Sequence, residues 1–258
     1  MSMLNPKTNR AKIVARRNFD RQVTWYELRW EKDIKKFLDH QMNEAARAME
    51  NGELSPEDAI DTAKFQKNTA SWIHEISYYF ARQAWNDSEA QGIKSFGPEN
   101  IKAPKHNAFF RWVNYWTQVR SGVLISQVTN TTKKLIRKII NNGMMNGLSN
   151  YQIAKSMRDA KLIVNRRRAI TIARTETHSA AVGGYDNAMR TAGVELKKEW
   201  NSSRDKRTRP HHMVSPVVPM RDDFVIWGEN LRWPGDPMGS ARNVINCRCV
   251  VLYHSNRA

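Results

Sequence analysis

Apolar side chains recur every three or four positions through most of the first 190 residues, and that spacing predicts helices. Val23, Tyr26, Trp30, Ile34, Phe37, Leu38, Met42, Ala45 and Met49 form one such stripe, so residues 8–51 read as a single long helix stopped by Gly52. Ser55-Pro56-Glu57-Asp58 offers a cap, a proline and two acids, which predicts a new helix start. Ile60, Ala63, Ile73, Ile76, Phe80 and Ala84 carry that helix to about residue 90. A loop marked by Gly92, Gly97-Pro98 and Pro104 comes next. A third helical stretch over 107–142 is led by Phe109, Trp112, Val113 and Trp116, with Gly122 and the Thr-rich segment 129–132 as places for a bend. Gly143 and Gly147 end it. Ser149-Asn150-Tyr151-Gln152 is a capping-box pattern that opens a short helix with Ile153, Ala154 and Met157 on one face. Arg166 to Ala192 reads as the next helix, closed by Gly193.

From Val194 onward the pattern changes. Segments 195–200, 224–227 and 250–253 read as strands, and Pro210, Pro216, Pro219, Pro234 and Pro237 exclude long regular elements between them. The fold class expected is mainly α, with a long helical N-terminal body and a small α+β C-terminal module. The domain boundary falls between an elongated helical body, 1–146, and a second domain, 147–258.

Charge narrows the choice of partner. The 258 residues carry a formal net charge of +17, which favours a polyanion such as DNA. Lys133, Lys134, Arg137 and Lys138 fall on neighbouring turns of one helix. Arg166, Arg167 and Arg168 are read as opening another, where they oppose the helix dipole and so suit an external anion. These seven are the candidate DNA-binding residues, and with no base-reading motif their contacts are expected to be non-specific ones to phosphates. No apolar run reaches the roughly 20 residues that span a bilayer, and the first residues lack the apolar stretch of a signal peptide. The expectation is therefore no membrane partner and a reducing compartment.

The last quarter of the chain holds the candidate chemistry. Both cysteines lie there, as Cys247-Arg248-Cys249, about 35 residues after His211-His212. Thiolate and imidazole are zinc ligands, so His212, Cys247 and Cys249 are the candidate metal set, with Asp205 or His211 as a fourth ligand. The two cysteines are expected to divide between a core and a structural role. Arg207, Arg209, Asp205 and His212 are expected to pack around them. The ligand count is one short, so a metal-free network, with no cofactor, is the favoured version. Arg174 and Glu176 are expected to pack onto this module through ion pairs. Asp236, in Trp233-Pro234-Gly235-Asp236-Pro237, is expected to anchor a turn, and Asn246 completes the structural set. No Walker A, G-x-S-x-G or H-E-x-x-H pattern occurs, and no catalytic residue is assigned. The rival class is a metal-dependent DNA-processing nuclease.

Several stretches also stand in a particular order. Gly147-Leu148-Ser149 with Ile153-Ala154 leads to Ile172-Ala173-Arg174-Thr175-Glu176-Thr177. Gly184-Tyr185, Ala192-Gly193-Val194 and Lys198-Glu199-Trp200 follow. Asp205-Lys206-Arg207-Thr208-Arg209 with His212, then Pro234-Gly235-Asp236-Pro237 and Asn246-Cys247-Arg248-Cys249, complete the series. From Gly147 to about Leu252 the chain resembles the Mu F-like head morphogenesis, or minor capsid, proteins of tailed bacteriophages. It departs from them where a glycine usually follows the motif histidine, since Ser215-Pro216 stands there. The resemblance implies a non-enzymatic minor virion protein, made in the host bacterial cytoplasm and housed inside the capsid. Its implied partners are the portal protein, the capsid interior and packaged double-stranded DNA, in assembly, packaging or ejection. The family has no established catalytic residues, and some relatives are fused to toxin or enzymatic domains. Trp25, Trp72, Trp85 and Trp116 are candidate partner anchors, with burial in the core as the favoured alternative.

Overall fold

The computed structural model describes residues 2–93, 104–191 and 195–255, so the loop expected at Gly97-Pro98 and the helix stop expected at Gly193 lie outside the described residues. Most of the chain is in long helices: α1 (Asn9–Glu50), α2 (Ala63–Glu89), α3 (Pro104–Met145) and α4 (Asn150–Arg190). A small module follows, with β1 (Leu196–Asn201), β2 (Val217–Pro219), β3 (Phe224–Ile226), β4 (Glu229–Leu231), α5 (Ala241–Val244) and β5 (Val250–Ser255). The protein is thus mainly helical, with a long N-terminal helical body and a strand-containing C-terminal module.

Two helix boundaries differ from those the sequence suggested. Ser55-Pro56 does not start a long helix. Pro56–Ala59 is a 3-10 turn without a side-chain cap, and α2 begins at Ala63, whose N–H donates to Asp61 Oδ1 at 2.9 Å. Asp61 thus supplies the side-chain acceptor at the start of α2, two residues before Ala63, which Ser55 is too far upstream to do. The second correction is larger. The short helix at 150 and the helix expected from Arg166 are one element, α4, and Arg166, Arg167 and Arg168 lie in its interior. No glycine or proline stands between Asn150 and Arg168, so the helix continues through the arginines. The capping box forms at its start: Ser149 N–H donates to Gln152 Oε1 at 2.8 Å, and Gln152 N–H reaches Ser149 Oγ at 3.4 Å.

The chain forms two compact units, each assembled from separated segments. The 146/147 boundary is the turn between α3 and α4 and does not coincide with this division. One unit comprises Glu27–Trp72 and Thr117–Ala173. Its core joins Met42, Ala45, Ala46 and Met49 of α1 to Ile136 of α3 and Ile153, Ala154 and Met157 of α4. Phe37 stacks on Phe65, with ring centroids 3.6 Å apart. One buried polar network crosses this unit. Thr132 Oγ1 donates to Gln41 Oε1 at 2.9 Å, and Gln41 Nε2 donates to Thr129 Oγ1 at 3.3 Å.

The other unit comprises Met1–Tyr26, Ile73–Trp116 and Arg174–Ala258. Its three-stranded antiparallel sheet has the order β2-β1-β5, with Trp200 opposite Val251 and Lys198 opposite Tyr253. Residues before α1 add a parallel bridge, Leu4 to Tyr253, on the β5 side. β3 and β4 form a separate hairpin closed by Trp227 and Gly228, both at positive φ, 51° and 79°. That pair of angles is the twist-compatible two-residue turn, and it shortens the strand expected over 224–227. Helices α2 and α4 approach closely at Gly184, where an added Cβ would lie 2.3 Å from the Ser77 carbonyl oxygen. Trp85, Phe109, Trp112, Trp116 and Trp233 form an aromatic cluster in this unit. Trp85 and Trp116 are therefore core, whereas Trp25 is 58% exposed.

Candidate functional site

The module turns irregular chain into fixed geometry through side-chain-to-backbone bonds. Asp205 Oδ1 accepts from the Arg207 N–H at 3.0 Å and from Thr208 Oγ1 at 2.9 Å, which closes a tight Asx-type turn. Arg209 follows, and its guanidinium donates to the Ile245 carbonyl. Pro210–His212 then forms a 3-10 turn, with Pro at its first position and the His212 N–H bonded to Arg209 O. On the other side, α5 ends at Val244 and Asn246 takes a positive φ of 56°. The Asn246 N–H donates to Thr175 Oγ1 of α4 at 3.1 Å, which fixes the chain where Cys247 enters.

These two segments meet at His212. Cys247, Cys249 and His212 are all buried, at 1%, 2% and 1% exposure. His212 Nδ1 lies 3.8 Å from Cys247 Sγ and 3.6 Å from Cys249 Sγ. Both thiols lie against the same nitrogen, so the expected division into one core and one structural cysteine does not hold. Both cysteines are free. The neighbouring Cys249 sulfur pulls the Cys247 thiol down, and Cys247 together with burial pushes the Cys249 thiol up. His212 Nε2 is 3.0 Å from Asn243 Oδ1, and His211 Nε2 is 3.1 Å from the same oxygen. The Asn243 Nδ2 has no hydrogen bond of ordinary length, but after Ser240 this side chain helps hold the Glu229 carboxyl down to about 2. With its oxygen toward the imidazoles, Asn243 accepts the His212 Nε2–H and leaves Nδ1 as the lone pair facing the sulfurs.

Neither expected fourth ligand joins the three. Among the described residues, the close-packed His/Cys/Asp/Glu group is His212, Cys247 and Cys249. Asp205 is engaged by its turn and lies 3.6 Å from the Arg207 and 3.5 Å from the Arg248 guanidinium. His211 stacks on Trp227, with centroids 4.5 Å apart. A recess of about 10 Å³, lined by residues including Asp205, Arg209, His212 and Cys249, adjoins the cluster.

The remaining structural candidates support this module. Asp236 is buried and accepts from the Arg232 N–H at 2.9 Å and the Met238 N–H at 3.1 Å, so it anchors the turn. Glu176 is buried and Arg174 half-buried on α4, and both make further contacts. Sequence reasoning missed Asn243 and Thr175, polar residues whose roles depend on distant partners. It also missed Lys198, which is fully buried and donates to the Arg232 carbonyl at 2.6 Å. The alternation of β1 gave the available signal, since Lys198 shares a face with Leu196 and Trp200.

The basic clusters divide by environment. On α3, Lys133 pairs with Asp58 at 2.7 Å and Arg137 with Glu57 at 2.8 Å, while Lys134 and Lys138 face solvent. On α4, Arg166 and Arg167 are exposed. Arg168 turns inward and donates to the Val128 carbonyl at 3.1 Å and to Thr132 Oγ1 at 3.0 Å. In the other unit, an open cleft of about 860 Å³ is lined by Lys12, Arg16, Arg17, Arg204, Arg207 and Arg248, with Asp20, Glu199 and Asp205 between them.

Known proteins are similar to this chain. The chain is 24% identical over 185 residues to the uncharacterized protein YqbB of Bacillus subtilis, covering 69% of this chain and 59% of that protein. It is 30% identical over 128 residues to the NAD(+)--arginine ADP-ribosyltransferase EFV of Enterococcus faecalis, covering 46% of this chain and 26% of that protein. The chain thus spans less than two thirds of the length of these relatives. No solved structure matches it. The model of the family described as Phage Mu protein F like protein matches residues 134–252, a stretch that includes all of α4 and the His212–Cys247–Cys249 cluster.

Proposed function

We propose that this protein is a non-enzymatic minor head protein of a tailed bacteriophage. It acts in head assembly and in DNA packaging or ejection, associated with the portal and the capsid interior. The observation that carries this reading is the Phage Mu protein F like match over residues 134–252. The charge of +17 supports a place beside packaged DNA, and the cation-lined cleft together with exposed Lys134, Lys138, Arg166 and Arg167 supplies groups for phosphate contact. No helix among the described residues is long and apolar enough to cross a membrane.

A second reading, enzymatic, draws on the name of the Enterococcus faecalis relative. That name describes an ADP-ribosyltransferase of which this chain covers 26%. A nuclease reading lacks support because the His/Cys cluster brings no carboxylate with it among the described residues.

Mass spectrometry of purified virions and procapsids tests the assignment, together with co-purification with the portal protein from the same phage genome. The expected result is a low-copy protein present in both particles; absence from both overturns it. Incubation with plasmid and Mg²⁺, Mn²⁺ or Zn²⁺, and separately with NAD⁺ and an arginine acceptor, tests the non-enzymatic part. Plasmid cleavage abolished by His212→Ala, or transfer of ADP-ribose, overturns that part alone.

A further inference from the structure

We propose that His212 Nδ1, Cys247 Sγ and Cys249 Sγ hold one thiophilic divalent cation, zinc by the chemistry of the donors. The ion is a structural cross-link between the 210–212 turn and the segment entering β5. This inference rests on the side chains themselves and stands apart from the role in the phage head.

The distances lead to it. A tetrahedral zinc has Zn–S bonds near 2.3 Å and Zn–N bonds near 2.0–2.1 Å, so its S···N edges measure about 3.6 Å. The two sulfurs lie 3.6 and 3.8 Å from Nδ1, and all three ligand atoms fall within 4.8 Å of one another. A neutral imidazole nitrogen has one lone pair, which accepts one S–H well. Two thiols at nearly equal distance from that single lone pair are better explained by a shared centre than by two competing hydrogen bonds.

The surrounding groups fit the same centre. A metal-bound histidine characteristically donates its other N–H to a carbonyl or carboxylate, which fixes its tautomer. His212 Nε2 has that partner in Asn243 Oδ1 at 3.0 Å. The three donors come from segments about 35 residues apart in sequence, so the cross-link joins non-local parts of a module built from strands of three to six residues. Three protein ligands leave one tetrahedral position. The adjoining recess of about 10 Å³ is the size of one water, which can complete the shell. Binding is balanced in charge: the divalent ion displaces one proton from each thiol, and two thiolates, the neutral imidazole and the ion form a neutral centre. That neutrality suits burial at 1–2% exposure.

Elemental analysis of the full chain, purified after growth in zinc-supplemented medium, tests the proposal. The expected result is one zinc per chain that survives gel filtration. Cobalt substitution gives an independent readout, with thiolate-to-cobalt charge-transfer and visible d–d bands of a tetrahedral Cys-ligated site expected. Cys249→Ser and His212→Asn are expected to lose the zinc, and His211→Asn to keep it. If those variants fail to fold, the wild-type chain is dialysed against a strong chelator and its melt recorded before and after zinc is returned. A lowered melting temperature restored by zinc, but not by magnesium, supports the site. Metal-free wild-type protein without cobalt bands, or a chelator-treated melt that does not move, overturns it.

Discussion

Asn243 is the residue on which the buried imidazole depends. Its Oδ1 is the acceptor for His212 Nε2 at 3.0 Å, and Asn243 itself is fully buried. Replacing it with Ala strands a buried N–H, which costs about 1–3 kcal/mol. Asn243→Ala is therefore expected to lower the melting temperature, whereas an unchanged melt would mean that water reaches the imidazole. Lys198 gives a second residue-scale prediction. Burial pushes its amine down to about 8, against the pull of Asp186, with Arg190 adding to the depression and Asp223 and Asp236 opposing it. The folded pKa lies below the unfolded value of roughly 10.4, so between the two the unfolded chain binds the extra proton. Stability from this group therefore rises with pH across that window, by at most about 3 kcal/mol, and is level below and above it. Urea unfolding followed through the window is expected to show this rise in wild type and to lose that component in Lys198→Met. Parallel profiles for the two proteins would contradict the assignment.

Helices are set by pattern, and their junctions by particular groups. At Gly184 an added Cβ would meet the Ser77 backbone, which cannot move as a side-chain tip can. Gly184→Ala is expected to destabilise by about 1–3 kcal/mol, read from a denaturant midpoint; a neutral result would mean that α2 and α4 can part locally without cost. Ser149→Ala removes half of the capping box and is expected to cost about 1 kcal/mol. This level also shows what the sequence made legible. The apolar stripe of α1 and the Ser149 box are local signals, and both elements form where those signals stand. The unity of α4 is obscured in the sequence because three consecutive arginines imitate a helix start, although no stop signal precedes them. Their fates depend on contacts no local pattern encodes: Arg166 and Arg167 face water, while Arg168 reaches the Val128 carbonyl. The candidate site was legible in part for the same reason. His212, Cys247 and Cys249 declare themselves by chemistry, whereas Asn243 and Thr175 are ordinary polar residues until the chain has folded.

For the whole molecule, the excess of +17 governs any encounter with a polyanion, but the cations do not contribute equally. Lys12 is committed to Glu199 at 2.7 Å, and Arg207 and Arg248 share Asp205. Arg17 and Arg204 of the same cleft face solvent, as do Lys134, Lys138, Arg166 and Arg167 elsewhere. The exposed cations carry little structural burden, so phosphate contact and fold stability separate experimentally. Double-stranded DNA affinity is expected to fall linearly with salt on logarithmic axes, by counterion release, with little preference for sequence. Each phosphate contact contributes about 0.9 to the slope, so losing one lowers the slope by about one unit. Arg17→Ala and Arg204→Ala are expected to show that reduction with an unchanged melt if the cleft meets DNA, and Lys134→Ala and Lys138→Ala if α3 does. Fluorescence anisotropy titrations at several salt concentrations read both. Affinity that ignores salt, or a strong preference for one sequence, contradicts phosphate binding. Weak DNA binding whose slope none of these variants alters places the phosphate contacts away from Arg17, Arg204, Lys134 and Lys138.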